Sequence, residues 1–367
     1  MSPELPLQRK TFLKAWVVAL VAIYLALGVL AVWTIENEKL TANRNHALRM
    51  DAKAVEPGRT LPDPLPTNGD FVQVALGVYV DGIDNFSIKD SLWTATFYVW
   101  FRWKGDKSLD PGKAFQLVDA KIEKKELLDN FSSPDGTNYQ RFRIVARISK
   151  FFNTTRVPLD DHMLNIYIED AARDASKLRY VVDSATNVSS RANVPGYNIT
   201  GFGSVVKPHT YRTTYGDPRM AEGTNTTYTQ YNFALTLKRS GAGVYLKLFI
   251  GLFAGVLLTI GSFFIRPADT GPRFGLPSAA YFGAVANAYL VNSTLPSSGQ
   301  FGLADFVTLI GLFTIFVCFL SSLISAYFYL KRDEKEFSRE LDKVSWITIG
   351  LGFLIVNIVL PISAFAG

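Results

Sequence analysis

Four long apolar runs occupy the last third of this 367-residue chain. They are Leu248–Ile265, Phe274–Leu295, Phe306–Leu330 and Trp346–Ala366. As a helix, each run is long enough to cross a hydrocarbon core, which takes about 20 apolar residues. Within lipid, only helices and closed barrels satisfy their own backbone hydrogen bonds. The runs therefore predict an integral membrane protein with a bundle of four transmembrane helices.

A fifth apolar run, Ala15–Trp33, lies near the amino end and follows Arg9, Lys10 and Lys14. It is longer than the 7–15 apolar residues typical of a cleaved secretory signal, and Ala31-Val32-Trp33 is a poor cleavage site. An uncleaved signal anchor is the preferred interpretation, and a cleaved signal is the alternative. In both cases the amino end is cytoplasmic and the following region is translocated.

Basic residues flank the apolar runs on one side. Arg266 and Arg273 bracket the link between the first two C-terminal runs, and Lys and Arg fill residues 331–343 before the last run. Cytoplasmic flanks carry such an excess, so both links are predicted inside and the carboxyl end outside. We expect a multi-pass protein of a bacterial inner membrane. The net charge of +6 is scattered along the chain, and we expect no nucleic-acid partner.

The region between the apolar runs has the pattern of β-structure. Residues 35–69 contain four prolines among charges and are interpreted as a linker. From Phe71 the apolar residues alternate with period two, as in a half-buried strand, and further short strands follow. We therefore predict a fold class of all-β sandwich (residues 70–240), then a four-helix transmembrane bundle (241–367), with an extra N-terminal helix within residues 1–34.

Cysteine and histidine usage argues against enzyme chemistry. Cys318 is the single cysteine and lies inside an apolar run, so the translocated region has no disulfide. His46, His162 and His209 lack metal-ligand spacing, and no glycine-rich phosphate loop or nucleophile elbow is present. We expect no enzyme activity, no metal and no cofactor.

Several ordered blocks resemble the pentameric ligand-gated ion channel superfamily, in its prokaryotic branch without the Cys-loop disulfide. The resemblance covers residues 70–366 and rests on the order and spacing of the blocks together. The blocks are Gly77-Val78-Tyr79 with Trp103, Val157-Pro158-Leu159-Asp160-Asp161, Pro195-Gly196-Tyr197-Asn198-Ile199, Val205-Val206-Lys207-Pro208, Lys238-Arg239, and Arg273 with Leu295-Pro296. It implies a homopentamer that conducts inorganic ions. The chain departs from the pattern of this family in three places. Residues 104–140 lack the Trp-x-Pro of the binding loop, Tyr245–Ile265 lacks a proline, and Pro277 interrupts the candidate pore helix.

The run Arg273–Pro296 is rich in glycine and alanine and also carries Asn287, Tyr289 and Ser293. Small residues spaced by four can form a helix-packing face, whereas polar residues in lipid point to a water-filled path. The resemblance favours a pore, with Phe282 as an apolar constriction. With this helix placed as in the family, the residues that face the pore axis are Gly275, Ala279, Phe282, Ala286, Tyr289 and Ser293. Asp269 and Arg273 would lie at the pore mouth. Cation channels of this family often carry an acidic ring at the inner mouth, where this chain has Gly271 and Pro272, so the resemblance favours anions over cations.

The resemblance also implies coupling and ligand residues. Asp160 and Arg239 would form a charge-assisted pair between the domains. Asp84, Asp90 and Pro296 complete the predicted coupling set. An interfacial ligand pocket would contain Asp170, Arg173, Tyr197, Tyr211, Tyr215 and Tyr228. Tyrosine rings suit a cationic agonist, and titrating carboxylates would suit protons.

Two other classes of function stay open at this point. A non-conducting membrane sensor or scaffold with the same fold would account for Pro277 and for the missing proline in the first C-terminal run. A secondary transporter would be expected to show inverted repeats or broken helices, and none is visible in the sequence. A ligand- or proton-gated channel is the preferred hypothesis.

Overall fold

The computed structural model describes residues 5–67, 70–218, 220–221, 223–296, 299 and 301–365. It divides into two compact units, which we describe separately. The helical unit consists of Met1–Leu40, Thr154–Asp160 and Gly241–Gly367, and the sheet unit of Thr41–Asn153 and Asp161–Ser240. Ala366, where the last predicted apolar run ends, lies outside the described residues.

Six α-helices are described. They are α1 (Leu7–Met50), α2 (Pro111–Ala114), α3 (Gly243–Gly261), α4 (Thr270–Ser293), α5 (Leu303–Lys331) and α6 (Lys335–Phe365). A 3₁₀ turn, Ser262–Phe264, extends α3. Four helical segments are long and apolar enough to cross a membrane: α1, Gly243–Phe264, α5 and α6. This agrees with the prediction of a membrane protein.

The predicted fold class was wrong. The 44-residue helix α1 precedes the β-region, which forms two sheets of six and four strands. After the β-region, α3, α5 and α6 qualify as membrane spans, but α4 does not. Its glycine, alanine, serine and asparagine residues lower its hydropathy below that of a lipid-exposed helix. An all-β sandwich followed by four equivalent transmembrane helices is therefore not the architecture.

The six-stranded sheet has the order β4-β5-β2-β1-β7, with β8 paired to β1. The four-stranded sheet has the order β3-β6-β10-β9. The strands are β1 (Val72–Ser87), β2 (Leu92–Lys104), β3 (Phe115–Val118), β4 (Ala120–Ser132), β5 (Thr137–Ser149), β6 (Asp161–Asp170), β7 (Leu178–Val182), β8 (Asn187–Val188), β9 (Tyr197–Tyr211) and β10 (Thr226–Arg239). Val78 pairs with Val99 and Phe233 with Ile166, so register aligns apolar positions across neighbouring strands.

Alternation in the sequence explains which strand face is buried. In β2, every second residue from Trp93 to Trp103 is buried, and the residues between them are more exposed. Successive side chains of a strand point to opposite faces, so this pattern gives one apolar face. Leu76, Phe97, Ile166 and Phe233 come from both sheets and belong to one apolar core.

Helix α1 is longer than the predicted N-terminal helix and continues through Met50, into the range interpreted as a linker. Within the helical unit, Leu20, Tyr24, Ala31 and Ile35 are buried in a core shared with α3–α6. The Tyr24 hydroxyl and the Thr314 hydroxyl of α5 are hydrogen bonded at 2.7 Å. Thus α1 packs as part of the helical unit along its residues up to Leu40.

The short segment Thr154–Asp160 also belongs to the helical unit. The Leu303 backbone N–H at the start of α5 donates to the Thr155 carbonyl at 2.7 Å. Leu159 is buried in the helical core. These contacts explain why this turn joins the helices rather than the strands on either side of it.

Candidate functional site

One face of α4 is exposed in the helical unit, and it contains every residue predicted to line a pore. Phe282 is 73% exposed and Tyr289 is 78% exposed. Gly275, Ala279, Ala286 and Ser293 are exposed as well. These six positions recur at intervals of three and four, which is the spacing of one helix face. The helix thus presents a continuous face of small, aromatic and polar side chains.

The opposite face of α4 is buried against the helical unit. Its buried residues are Arg273, Pro277, Ala280, Ala284 and Val291. Close approach to α3 occurs at Gly255, where an added Cβ would lie 3.4 Å from the Ala280 carbonyl oxygen. Small residues permit this backbone contact. The packed face and the exposed face of α4 are therefore clearly separated.

Asn287 lies at the edge between the two faces. Its side-chain amide donates to the Leu248 carbonyl of α3 at 2.8 Å. An amide placed in lipid would need such a partner. The polarity of Asn287 is therefore explained by helix packing and does not by itself indicate water.

The predicted pore-mouth residues lie in different surroundings. Asp269 is exposed just before α4. Arg273 is fully buried, donating to the Ile265 carbonyl at 2.6 Å and to Asp342 Oδ1 at 2.5 Å. Its charge is balanced by Asp342, so Arg273 supplies no free positive charge to favour anions.

The predicted coupling residues fall in both units, and the Asp160–Arg239 pair stays a prediction. In the helical unit Asp160 is buried. In the sheet unit the Arg239 guanidinium lies 4.1 Å from the Tyr197 ring centroid. Asp84 accepts a hydrogen bond from Thr96 at 2.9 Å, and Asp90 accepts one from Ser87 at 2.6 Å. Pro296, the last residue of this set, is half-buried.

Three of the predicted ligand residues come together in the sheet unit. The Tyr211 ring centroid is 6.1 Å from that of Tyr215 and 5.6 Å from that of Tyr228. They line an open cleft of about 570 Å³, which we call the tyrosine cleft. Asp174 and Asp217 also line it. Tyrosine ring faces with nearby carboxylates suit a cationic ligand.

The other predicted ligand residues are outside this cleft. Asp170 is buried beside it, where Arg173 donates to it at 3.1 Å. Burial raises the pKa of the Asp170 carboxyl, although its hydrogen bonds with Ala172 and Arg173 oppose the shift. Tyr197 lies at the opposite end of β9 from Tyr211, against Phe86 at 5.1 Å between ring centroids. Tyr197 therefore does not join the other tyrosines.

A buried glutamate beneath the tyrosine cleft was not predicted. Glu169 is completely buried and accepts a hydrogen bond from the Tyr211 hydroxyl at 2.8 Å. His209 Nδ1 is 2.5 Å from the same carboxylate, and Gln230 donates to it at 2.6 Å. The sequence offered one sign, a carboxylate directly after the strand-like stretch Met163–Ile168.

Charged side chains of both signs surround the tyrosine cleft, since Lys177 lines it together with Asp174 and Asp217. Burial raises the pKa of the Tyr228 hydroxyl, and the nearby carboxylates of Asp174 and Glu169 raise it further. Burial and Glu169 together also raise the pKa of Tyr211. Both shifts follow because burial, and to a smaller extent negative neighbours, disfavour a phenolate.

The described part of the chain contains no group of three His, Cys, Asp or Glu side chains that could hold a metal. Comparison with protein-family models and with curated proteins finds no match to this sequence. The two candidate sites are the exposed face of α4 and the tyrosine cleft, and the geometry given above is the basis for assigning them a function.

Proposed function

We propose that the protein is a homopentameric ion channel whose conduction path is lined by the exposed face of α4. The main observation in support of this proposal is that α4 is as long as a membrane span but less hydrophobic than one. Its 24 residues correspond to about 36 Å of helix. Because lipid would not be a favourable neighbour for its exposed face, water and other copies of α4 are the expected surroundings.

The composition of the exposed face supports a path with an apolar constriction. Among the six predicted pore positions, Phe282 lies near the middle, with Ala279 and Ala286 one turn away on either side. A ring of five phenyl groups between small residues would narrow a water-filled path and could close it by dewetting. The fivefold assembly itself rests on the resemblance to pentameric channels.

The tyrosine cleft supports control by a cationic ligand. Its three ring faces and the carboxylates of Asp174 and Asp217 match the chemistry of an organic ammonium ion. In this proposal, binding there shifts the population between closed and open states of the assembly. The sheet unit would lie on the periplasmic side of a bacterial inner membrane, as the basic flanks of the helices predict.

A non-conducting sensor or scaffold is the second candidate. Pro277 lies inside α4 and removes one helical hydrogen bond, which favours a static packing role for this helix. In that case other protein would cover the exposed face in every state. The two candidates differ in whether water reaches Phe282.

Planar-bilayer recording of the purified protein tests the proposal directly. We expect unitary currents, and we expect Phe282→Ala to raise the fraction of time spent open because a smaller side chain widens the constriction. Ala284→Gly is the matched control, since Ala284 lies on the buried face of the same helix. Absence of currents under tetramethylammonium and across pH 4–9 would support the scaffold.

Cysteine accessibility provides a second test that requires no current. Ala279→Cys and Ala280→Cys are neighbours in sequence, but Ala279 is exposed and Ala280 is buried. With a water-filled path, a charged thiol reagent modifies the first variant and spares the second. The native Cys318 is buried and gives little background. Equal protection of both positions contradicts the channel.

A further inference from the structure

A chain of polar contacts begins at the tyrosine cleft and runs into the sheet unit. The Tyr211 hydroxyl donates to Glu169 Oε2, and the Gln230 amide nitrogen donates to Glu169 Oε1 at 2.6 Å. On its other side, the Gln230 amide oxygen accepts from the Arg59 guanidinium at 2.6 Å. Gln230 is 2% exposed, so both contacts are shielded from water. Its amide can satisfy both partners in only one orientation.

Arg59 belongs to the post-helix segment, which we define as residues 51–63, directly after α1. Its Nε lies 3.3 Å from Glu56 Oε2, and its guanidinium is 5.1 Å from the Tyr167 ring centroid. The Tyr167 hydroxyl donates to Glu56 as well. Arg49 Nε, in the last turn of α1, is 3.7 Å from the same carboxylate. Glu56 is thus the point where the polar chain reaches the end of α1.

Strand β9 holds the post-helix segment near both of its ends. The Lys207 ammonium donates to the Leu48 carbonyl at 2.5 Å and to the Ala54 carbonyl at 3.1 Å. The Asp63 backbone N–H donates to Thr210 Oγ1 at 2.8 Å. Since Tyr211 is the last residue of β9, the same strand supports both the cleft and the segment.

We propose that Glu169 and Gln230 are positioning residues that couple the tyrosine cleft to the end of α1. The buried carboxylate of Glu169 is held in place by the groups that donate hydrogen bonds to it. If the Tyr211 donor is lost, the remaining two donors, Gln230 and His209, must move to satisfy this carboxylate. Turning the Gln230 amide releases Arg59 and so weakens one of the contacts of Glu56, which keeps those with Tyr167 and Arg49. A ligand that displaces the Tyr211 ring loosens the post-helix segment. The regulatory meaning of this coupling rests on the proposed function of the cleft.

Hydrogen-exchange mass spectrometry on the full chain in lipid nanodiscs tests the coupling without ligand or current. Tyr211→Phe removes the donor to Glu169 and keeps the ring. We expect amides of the post-helix segment, including those of Ala54 and Arg59 in its turns, to exchange roughly tenfold faster. Tyr228→Phe is the matched control, because among the described contacts of Glu169 the tyrosine donor is Tyr211. It should leave the segment unchanged.

The double variant separates coupling from a general loss of stability. Gln230→Met removes the link to Arg59 with little change in size and should by itself speed exchange of the segment. If Tyr211 acts through Gln230, adding Tyr211→Phe to Gln230→Met produces no further increase. Additive effects, or an unchanged segment in Tyr211→Phe, overturn the proposal. Amides of β1 and β2 report whether each variant is folded. Since no conduction is measured, failure here is distinct from failure of the proposed channel.

Discussion

Arg273, at the start of α4, and Asp342, in α6, form an ion pair with 2.5 Å between Nη2 and Oδ1, and Arg273 has no exposed surface. The two residues are 69 positions apart. A second guanidinium nitrogen of Arg273 donates to the Ile265 carbonyl after α3. The pair therefore fixes the first turn of α4 against both neighbours.

Removing the carboxylate should destabilise the helical unit strongly. We expect Asp342→Ala to lower the free energy of unfolding by about 3–5 kcal/mol, because it leaves a buried guanidinium without its counter-charge. Thermal unfolding in detergent, followed by size-exclusion chromatography, measures the loss. Lys343→Ala, at an exposed neighbouring position, is the control and should change stability by less than about 0.5 kcal/mol. Recovery in the double variant Arg273→Met/Asp342→Leu would confirm the electrostatic cause.

Lys150 should make the stability of the sheet unit depend on pH. Burial, together with the nearby charge of Arg49, lowers the pKa of its ammonium from 10.5 to about 7, and Glu56 partly opposes this shift. At a pH between these two pKa values, the Lys150 side chain binds a proton in the unfolded chain but not in the folded chain. Stability contributed by this residue therefore rises with pH from about 7 to 10.5, and is lowest below pH 7.

The variant Lys150→Met should flatten that pH dependence. Guanidinium unfolding in detergent, followed by tryptophan fluorescence, should show the slope of unfolding free energy against pH fall by at most about 1.4 kcal/mol per pH unit, since partial exposure screens the charge. Lys121→Met, at an exposed position of β4, should keep the slope of the parent. If Lys150→Met has the same slope as the parent protein, Lys150 keeps its charge in the folded state over this pH range, and the prediction is wrong.

Gly77 should not tolerate a side chain, because the Trp100 indole lies against its backbone. An added Cβ would lie 2.1 Å from the indole ring, whose Nε1 donates to Asp183 at 3.2 Å. We expect Gly77→Ala to cost about 1–3 kcal/mol through displacement of Trp100. Gly82→Ala, in the same strand with open space at its Cβ, is the matched control. Urea unfolding of both variants makes the comparison, and equal stabilities would contradict the contact.

The hydrogen bond between Tyr24 and Thr314 should contribute to docking of α1 on α5. Tyr24→Phe and Thr314→Val should each cost about 0.6–2 kcal/mol, the range for hydrogen bonds between membrane helices. Because the two residues share one bond, their combination should cost less than the sum. Thermal unfolding in detergent measures all three variants. Tyr289→Phe, with an exposed ring on α4, is the control. Full additivity would mean that the bond is not formed.

Local pattern was enough to predict the secondary structure over much of the chain. Apolar runs of helix length predicted the existence of α1, α3, α5 and α6, although α1 and α6 begin well before the predicted runs and α1 also ends well after its run. Alternation predicted β1, and a high density of aromatic and β-branched residues predicted β2. These features depend on neighbouring residues along the chain, which the sequence displays directly. The six positions of α4 that were predicted to face an axis lie on one exposed helix face, and their role in lining a pore stays a prediction.

The sequence by itself determined that this chain has helices of membrane length, a β-region between them, and one such helix rich in glycine and alanine. It could not determine how far α1 continues, because residues 35–50 are polar and their helical state depends in part on contacts such as that of Lys207 with the Leu48 carbonyl. Only the tertiary structure paired Arg273 with Asp342. It also brought Tyr211 and Gln230 to the carboxylate of Glu169. Such contacts join residues distant in sequence, and no local periodicity encodes which partners a fold brings within hydrogen-bonding distance.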